Sequence, residues 1–213
     1  MSRGRRMVAS PNSDVFHEAM TGDSGAWRAL VGRYRPLLRL VAARHARRMV
    51  SNRYDESDVV QMTCVEALRG FHGFQGESRE ELEAWLENIL EDNIVRMWRN
   101  HSASPRDFRR EVDADEHTGG LSFVWNTRAG QDPARHLVRG EVAIMLAQAL
   151  EKLPDEYRAT LEMRFIDGRL MKEVAAELDT TVAVVAGRLR RGLKTLRELF
   201  PAELQELMEG GFE

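Results

Sequence analysis

Four glutamates, Glu80, Glu83, Glu87 and Glu91, are spaced to share one face of a helix. Carboxylates gathered this way can pass protons or clasp a cation. The partners such chemistry needs are not in the sequence. No His stands three residues after a Glu, no two His lie four apart, and no glycine-rich loop leads into a Lys-Ser/Thr pair. The six histidines, His17, His45, His72, His101, His117 and His136, are scattered. The glutamate row reads as a charged helix face, so neither an enzyme nor a metal or other cofactor is expected. The single cysteine, Cys64, cannot form an internal disulfide, and with Val60, Ala67, Leu68 and Phe71 it falls on an apolar stripe that predicts core. A lone thiol fits a reducing cytoplasm.

A second set of residues points to a polyanion. Arg188, Arg190, Arg191, Lys194 and Arg197 lie within residues 180–197, which contain no acid. Guanidinium and ammonium groups ranged along one helix can neutralise phosphates and reach base edges. The net charge of the chain is only −3, but it is zoned. Residues 1–53 carry +8, 54–92 carry −9, 93–110 carry +4, and 198–213 carry −5. Local potential, not the total, attracts nucleic acid. The zoning predicts two DNA contacts and at least one protein contact.

The basic ridge needs an element to aim it. Before it, a short helix with Val174 and Ala175 ends at Leu178, Asp179 and Thr180 form a turn, and Thr181 is placed to cap a second helix. Val182, Val185 and Leu189 face inward on that helix. This is helix-turn-helix spacing. Ala175 is small where two helices cross, and Asp179 occupies a position that favours left-handed backbone, which Asp tolerates better than most residues.

The rest of the chain is helical by period. Trp27, Leu30, Val31, Tyr34, Leu38 and Val41 recur at 3.6-residue spacing, with Pro36 inside the run predicting a kink or break. Asp55 or Ser57 can cap a helix carrying Val59, Val60, Thr63, Ala67 and Leu68. Gly70, Gly73 and Gly76 punctuate the aromatic stretch around Phe71 and Phe74, and a helix follows from about Arg79 to Arg99. Trp85 on that helix reads as core packing and Asn93 as a solvent-exposed amide. Residues 101–136, rich in Gly, Ser, Pro and acids, read as a flexible linker, with Phe123 and Trp125 as docking aromatics. Helices resume from Val138 to Leu153, from Pro154 to about Asp167, and through the helix-turn-helix. No strand alternation, internal repeat, secretory signal or membrane-length apolar run is read. The expectation is an all-α protein of two small helical domains, residues 14–100 and 137–200, followed by an acidic tail, 201–213.

Through "ALEKLPDEYRATLEMRFIDGRLMKEVAAELDTTVAVVAGRLRRGLKTLRELF" the C-terminal half resembles region 4 of the extracytoplasmic-function (ECF) sigma factors of bacterial RNA polymerase, a sigma-70 group. Independently, "GDSGAWRALVGRYRPLLRLV", "DESDVVQMTCVEAL" and "FQGESREELEAWLENILEDNI" resemble their region 2, and the "ENILEDN" stretch is similar to planctomycete-type members. The resemblance implies a cytoplasmic factor whose partners are core RNA polymerase, through its clamp and flap, promoter DNA, and an anti-sigma factor. It assigns Asp58, Val59, Val60 and Gln61 to the clamp. Phe74, in the loop to Glu77 that would capture an unstacked base, would meet the minus-ten element with Asn93, Arg96 and Arg99. Lys172, Thr181, Val182, Ala183, Val184, Arg188 and Arg191 would meet the minus-thirty-five element, with Arg188 the leading candidate for base readout. The acidic linker would follow the path of nascent RNA. The chain departs from the family pattern at Glu87, Asn88 and Glu91, where basic residues are usual, and at Val184, Ala186 and Gly187, where polar ones are. Arg106, Arg109 and Arg110, with Arg96 and Arg99, can compensate for the acids. The competing readings are a helix-turn-helix regulator that does not bind polymerase, and a sigma-like decoy that has lost promoter opening.

Overall fold

The computed structural model describes residues 11–48, 55–101 and 133–200, side chains at a few helix ends excepted. The expected linker, Phe123, Trp125, Arg106, Arg109, Arg110 and the acidic tail lie outside the described residues, as does the side chain of Arg99. All the described elements are helical. Contacts group them into two units, one comprising residues up to Ala42 together with Ser51–His117, the other Ala43–Val50 together with residues from Thr118 on.

In the first unit, α1 (Pro11–Met20) leads into α2 (Ser24–Arg48). The Asp23 carboxylate starts α2 by accepting the amide protons of Gly25 (2.7 Å) and Ala26 (2.8 Å). Pro36 does not break this helix, contrary to expectation. The lost hydrogen bond to the Gly32 carbonyl is outweighed by the burial of Val31, Tyr34, Leu37 and Leu38 on either side. Helix α3 (Glu56–Arg69) is capped by Asp55, which accepts from the Ser57 amide at 2.8 Å. A single 3-10 turn, Phe71–Gly73, and a short loop lead to α4 (Arg79–His101). There Glu81 accepts the amides of Glu77 and Ser78, while the Ser78 hydroxyl accepts the amide of Glu81, a reciprocal cap. Those hydrogen bonds hold the Glu81 carboxyl below its ordinary range. The core is Trp27, Leu30, Tyr34, Leu37, Leu38 and Val41 of α2 against Val59, Val60 and Ala67 of α3 and Leu82, Leu86, Leu90 and Ile94 of α4.

The second unit begins with α5 (Pro133–Glu151), which starts five residues before the sequence expectation, because proline suits a first helical turn. Pro154 stands at the N-cap of α6 (Asp155–Leu161), whose last turn widens into a π-helical stretch, Glu162–Ile166. Leu161 and Met163 are buried, while Phe165, inside the π stretch, is exposed. Gly168 takes a left-handed φ of +72° and ends the run. Helices α7 (Met171–Glu177) and α8 (Val182–Leu199) complete the unit.

Candidate nucleic-acid interface

The turn between α7 and α8 forms as its residues dictate. Asp179 adopts φ +44°, and Thr181 accepts the amide of Val184 at 3.3 Å on its side-chain oxygen. Val185 is fully buried and Ala175 nearly so, which lets α7 and α8 cross closely. Further along α8, Gly192 faces α6; a Cβ there would lie 3.0 Å from Leu161 Cδ1 and 3.3 Å from Tyr157 Cβ. Because Val185, Leu189, Gly192 and Leu196 point inward, the opposite face of α8 carries Ala183, Gly187, Arg190 and Lys194, with Val184 and Arg191 on its flank.

Lys172, Thr181, Ala183, Val184 and Arg191 are all exposed, and so is Val182, which the sequence spacing places inward but which lies on the open first turn of α8. Arg188, 21% exposed at its side chain, pairs with the half-exposed carboxylate of Glu156 of α6 at 3.2 Å. Arg191 donates through Nε to the Tyr157 hydroxyl (3.2 Å) and lies over that ring. Arg190 and Lys194, which the sequence ranks only as general cations, are exposed on the outward face.

In the first unit, the loop after α3 sits in an aromatic cluster. Phe74 packs on Trp27 and Trp85 (centroids 5.7 and 5.1 Å), and Trp27 also meets Phe71 at 5.1 Å. The Trp27 indole N–H donates to the Ala67 carbonyl at 3.1 Å, which ties the cluster to α3. A Cβ at Gly76 would overlap the Phe74 ring, so a larger residue there would push that ring aside. A cavity of about 550 Å³ opens beside it, lined by Phe16, His17, Met20, Trp27, His72 and Glu77 among others. Trp85 is half-buried in this cluster, not enclosed in the core.

Three sequence assignments here need correction. Asn93 is fully buried: its amide donates to the Thr63 hydroxyl (3.3 Å) and to Glu66 (3.2 Å), so it cannot touch DNA in this structure. Its position three residues after Leu90, on the core face of α4, is the signal that would have found this. Val59 and Val60 are likewise core, which leaves Asp58 and Gln61 exposed. The outward stripe of α3 runs instead through Gln61, Val65 and Leu68, the last two 39% and 38% exposed. Cys64, next to that stripe, is half-buried, and its partial burial pushes the thiol up. Arg96 is exposed but pairs with Glu66 at 2.7 Å.

The glutamate row of α4 carries no metal-binding cluster among the described residues. Glu83 is half-buried and accepts the Tyr34 hydroxyl at 3.0 Å. Burial, aided by Glu80 and Glu87, pushes its carboxyl up to about 8, against the lowering effects of Tyr34 and Arg79. Burial also raises Glu91, beside Glu87 and Asp92. Among the described residues no helix is long and apolar enough to cross a membrane.

Two helical units, the second a helix-turn-helix with an outward cationic helix, define a DNA-binding protein of the transcription machinery, and sequence comparison fixes the family. Residues 30–104 match sigma-70 region 2 and residues 143–196 match sigma-70, region 4, between them more than half of the chain. The chain is 27% identical over 206 residues to the RNA polymerase sigma-H factor of Pseudomonas aeruginosa (95% of this chain, 98% of that one). It is 28% identical over 198 residues to the ECF RNA polymerase sigma-E factor of Escherichia coli K12 (91% and 94%). A solved structure of CnrH in complex with the cytosolic domain of CnrY is 25% identical, covers 87% of this chain and 94% of that one, and superposes with a TM-score of 0.30. The chain belongs to the sigma-70 family of RNA polymerase sigma factors. Within it, the chain is an ECF sigma factor: a non-catalytic initiation factor that binds core RNA polymerase and promoter DNA. A match to region 2 as well as region 4 disfavours the reading as a helix-turn-helix regulator independent of polymerase.

Proposed function

We propose that α8 enters the major groove of the minus-thirty-five element, and that the first unit engages the minus-ten element through the Phe74 loop and the basic end of α4. The observation that carries this is the outward face of α8: an exposed, capped N-terminus followed by exposed Arg190, Arg191 and Lys194, with no acid before Glu198. Free amides and the helix dipole at that end favour a phosphate, and the cations behind it favour more. The aromatic rim around Phe74, beside its cavity, suits a base taken out of the stack.

Polymerase contact falls to the outward stripe of α3, Asp58, Gln61, Val65 and Leu68, as the clamp-facing surface, and to the second unit for the flap. An anti-sigma factor as inhibitor, a cytoplasmic site of action, an acidic linker on the RNA path and membership among planctomycete-type factors complete this reading; "ENILEDN", residues 87–93, supports the last. The test is a footprint of the chain reconstituted with core polymerase on promoters of its own organism. Protection near minus-thirty-five and permanganate-reactive thymines near minus-ten are expected. Absence of association with core polymerase sinks the proposal. Association and upstream protection without strand opening would favour a decoy, to which the acids Glu87 and Glu91 point.

A further inference from the structure

We infer that the first two turns of α8 read the 5-methyl groups of thymine, with Val184 as the selecting residue, and not the hydrogen-bonding edges of the bases. This rests on the proposed entry of α8 into the major groove.

Few side chains on the first two turns of α8 can hydrogen-bond to a base edge. Thr181 accepts the Val184 amide on its hydroxyl oxygen as the helix cap, which leaves it one O–H to donate. Val182, Ala183, Val184, Ala186 and Gly187 then follow, and none has a side-chain donor or acceptor. Val182 and Val184 are 44% and 40% exposed, so apolar surface stands where polar readers would be expected. The two guanidinium groups nearest these turns each have a partner on α6, Arg188 in Glu156 and Arg191 in Tyr157, and must leave it to reach a base. Arg190 and Lys194 come a turn later and are placed for phosphates.

The major groove offers such a face one rewarding feature. Adenine, guanine and cytosine present donors and acceptors there, which lose hydrogen bonds to water when covered by an apolar side chain. Thymine presents a methyl group, which gains by burial. Gly187 strengthens the case. A Cβ at that position would meet only the Arg191 guanidinium, at an ordinary 3.5 Å, so nothing inside the unit demands glycine. Without a side chain at Gly187 this part of the outward face stays low, although the Arg191 guanidinium partly covers it, and a helix can sit closer to the base edges.

The test uses the full chain with core polymerase and a duplex pool randomised across the upstream element. Recovered sequences are expected to carry thymines within the protected upstream segment. Replacing one contacted thymine by deoxyuridine, which removes only the methyl, should lower affinity about three- to fivefold, the scale of burying one methyl-sized group. 5-Methylcytosine in place of cytosine at that position should bind more tightly than cytosine itself. In Val184→Ala, a surface change that leaves the fold intact, the thymine–uracil difference should vanish. Uracil substitutions without effect, while the upstream footprint persists, would overturn the methyl readout and leave groove entry standing. Absence of any upstream footprint would overturn both.

Discussion

The two glycines of α8 allow one substitution to be made in two environments. Alanine gains about 1 kcal/mol over glycine in a helix interior, through lost backbone freedom in the unfolded chain. At Gly187 that gain stands alone, since the new methyl meets only the Arg191 guanidinium at 3.5 Å. At Gly192 the methyl arrives 3.0 Å from Leu161 Cδ1 and 3.3 Å from Tyr157 Cβ, so α6 must give way. Overpacking of this kind costs about 1–3 kcal/mol. The propensity term is common to both variants and cancels in their difference, so Gly192→Ala should be less stable than Gly187→Ala by about 1–3 kcal/mol. Amide hydrogen exchange at Leu189 and Leu196 in the full chain reads this directly, because both are buried residues of α8. Gly187→Ala should slow exchange there while weakening upstream DNA binding, as its methyl intrudes on the outward face. Equal protection in the two variants would refute the packing argument. Tighter DNA binding by Gly187→Ala would refute the close approach.

Other expectations concern single groups. Asn93→Ala removes the buried partner of Thr63 and Glu66 and should destabilise the first unit by about 1–3 kcal/mol; affinity per folded molecule should stay unchanged, and a DNA defect without a stability loss would restore Asn93 as a contact. Glu83 has a folded-state value of about 8 against an ordinary 4.5, so its protonated form favours the fold and stability falls as pH rises from about 4.5 to about 8. Glu83→Gln keeps the acceptor for Tyr34 and should flatten that fall, gaining about 1–2 kcal/mol at pH 8 under a ceiling near 4–5 kcal/mol; a denaturation series across pH in which wild type and variant run parallel would exclude this. Leu68→Glu, on the exposed stripe of α3, should weaken co-purification with core polymerase at least tenfold and leave folding intact, and undiminished co-purification would move the contact elsewhere. Because Arg188 is tied to Glu156 in an exposed pair worth about 1 kcal/mol at most, Glu156→Gln should leave the melting temperature nearly unchanged in a thermal scan, and a large drop would show a structural role.

The helix-turn-helix was legible because it is local: capping by Thr181, the left-handed Asp179 and the inward Val185 are dictated by residues a few positions apart. The helix order followed from apolar period. What the sequence hid depends on distant partners. Asn93 reads as a surface amide until Thr63 and Glu66, some thirty residues away, are seen to satisfy it. Val59 and Val60 lie beside Asp58 in the chain but on the other side of the helix. The sequence does not show the pairing of Arg188 with Glu156, which lies on another helix. Burial on either side of Pro36 keeps α2 continuous, and no sequence signal marked the π turn at Glu162–Ile166.

The carboxylate row of α4 bears on how the chain meets random duplex. Nonspecific adhesion grows with the number of phosphates a protein can neutralise, and each outward acid subtracts from that number. With Glu80 and Glu91 exposed and Glu87 half-exposed, this helix repels a sugar-phosphate chain along much of its length. Strays along the genome would hold the unassembled factor weakly, so more of it stays available to polymerase. Selectivity is then gained before any base is read, by refusing the commonest wrong ligand.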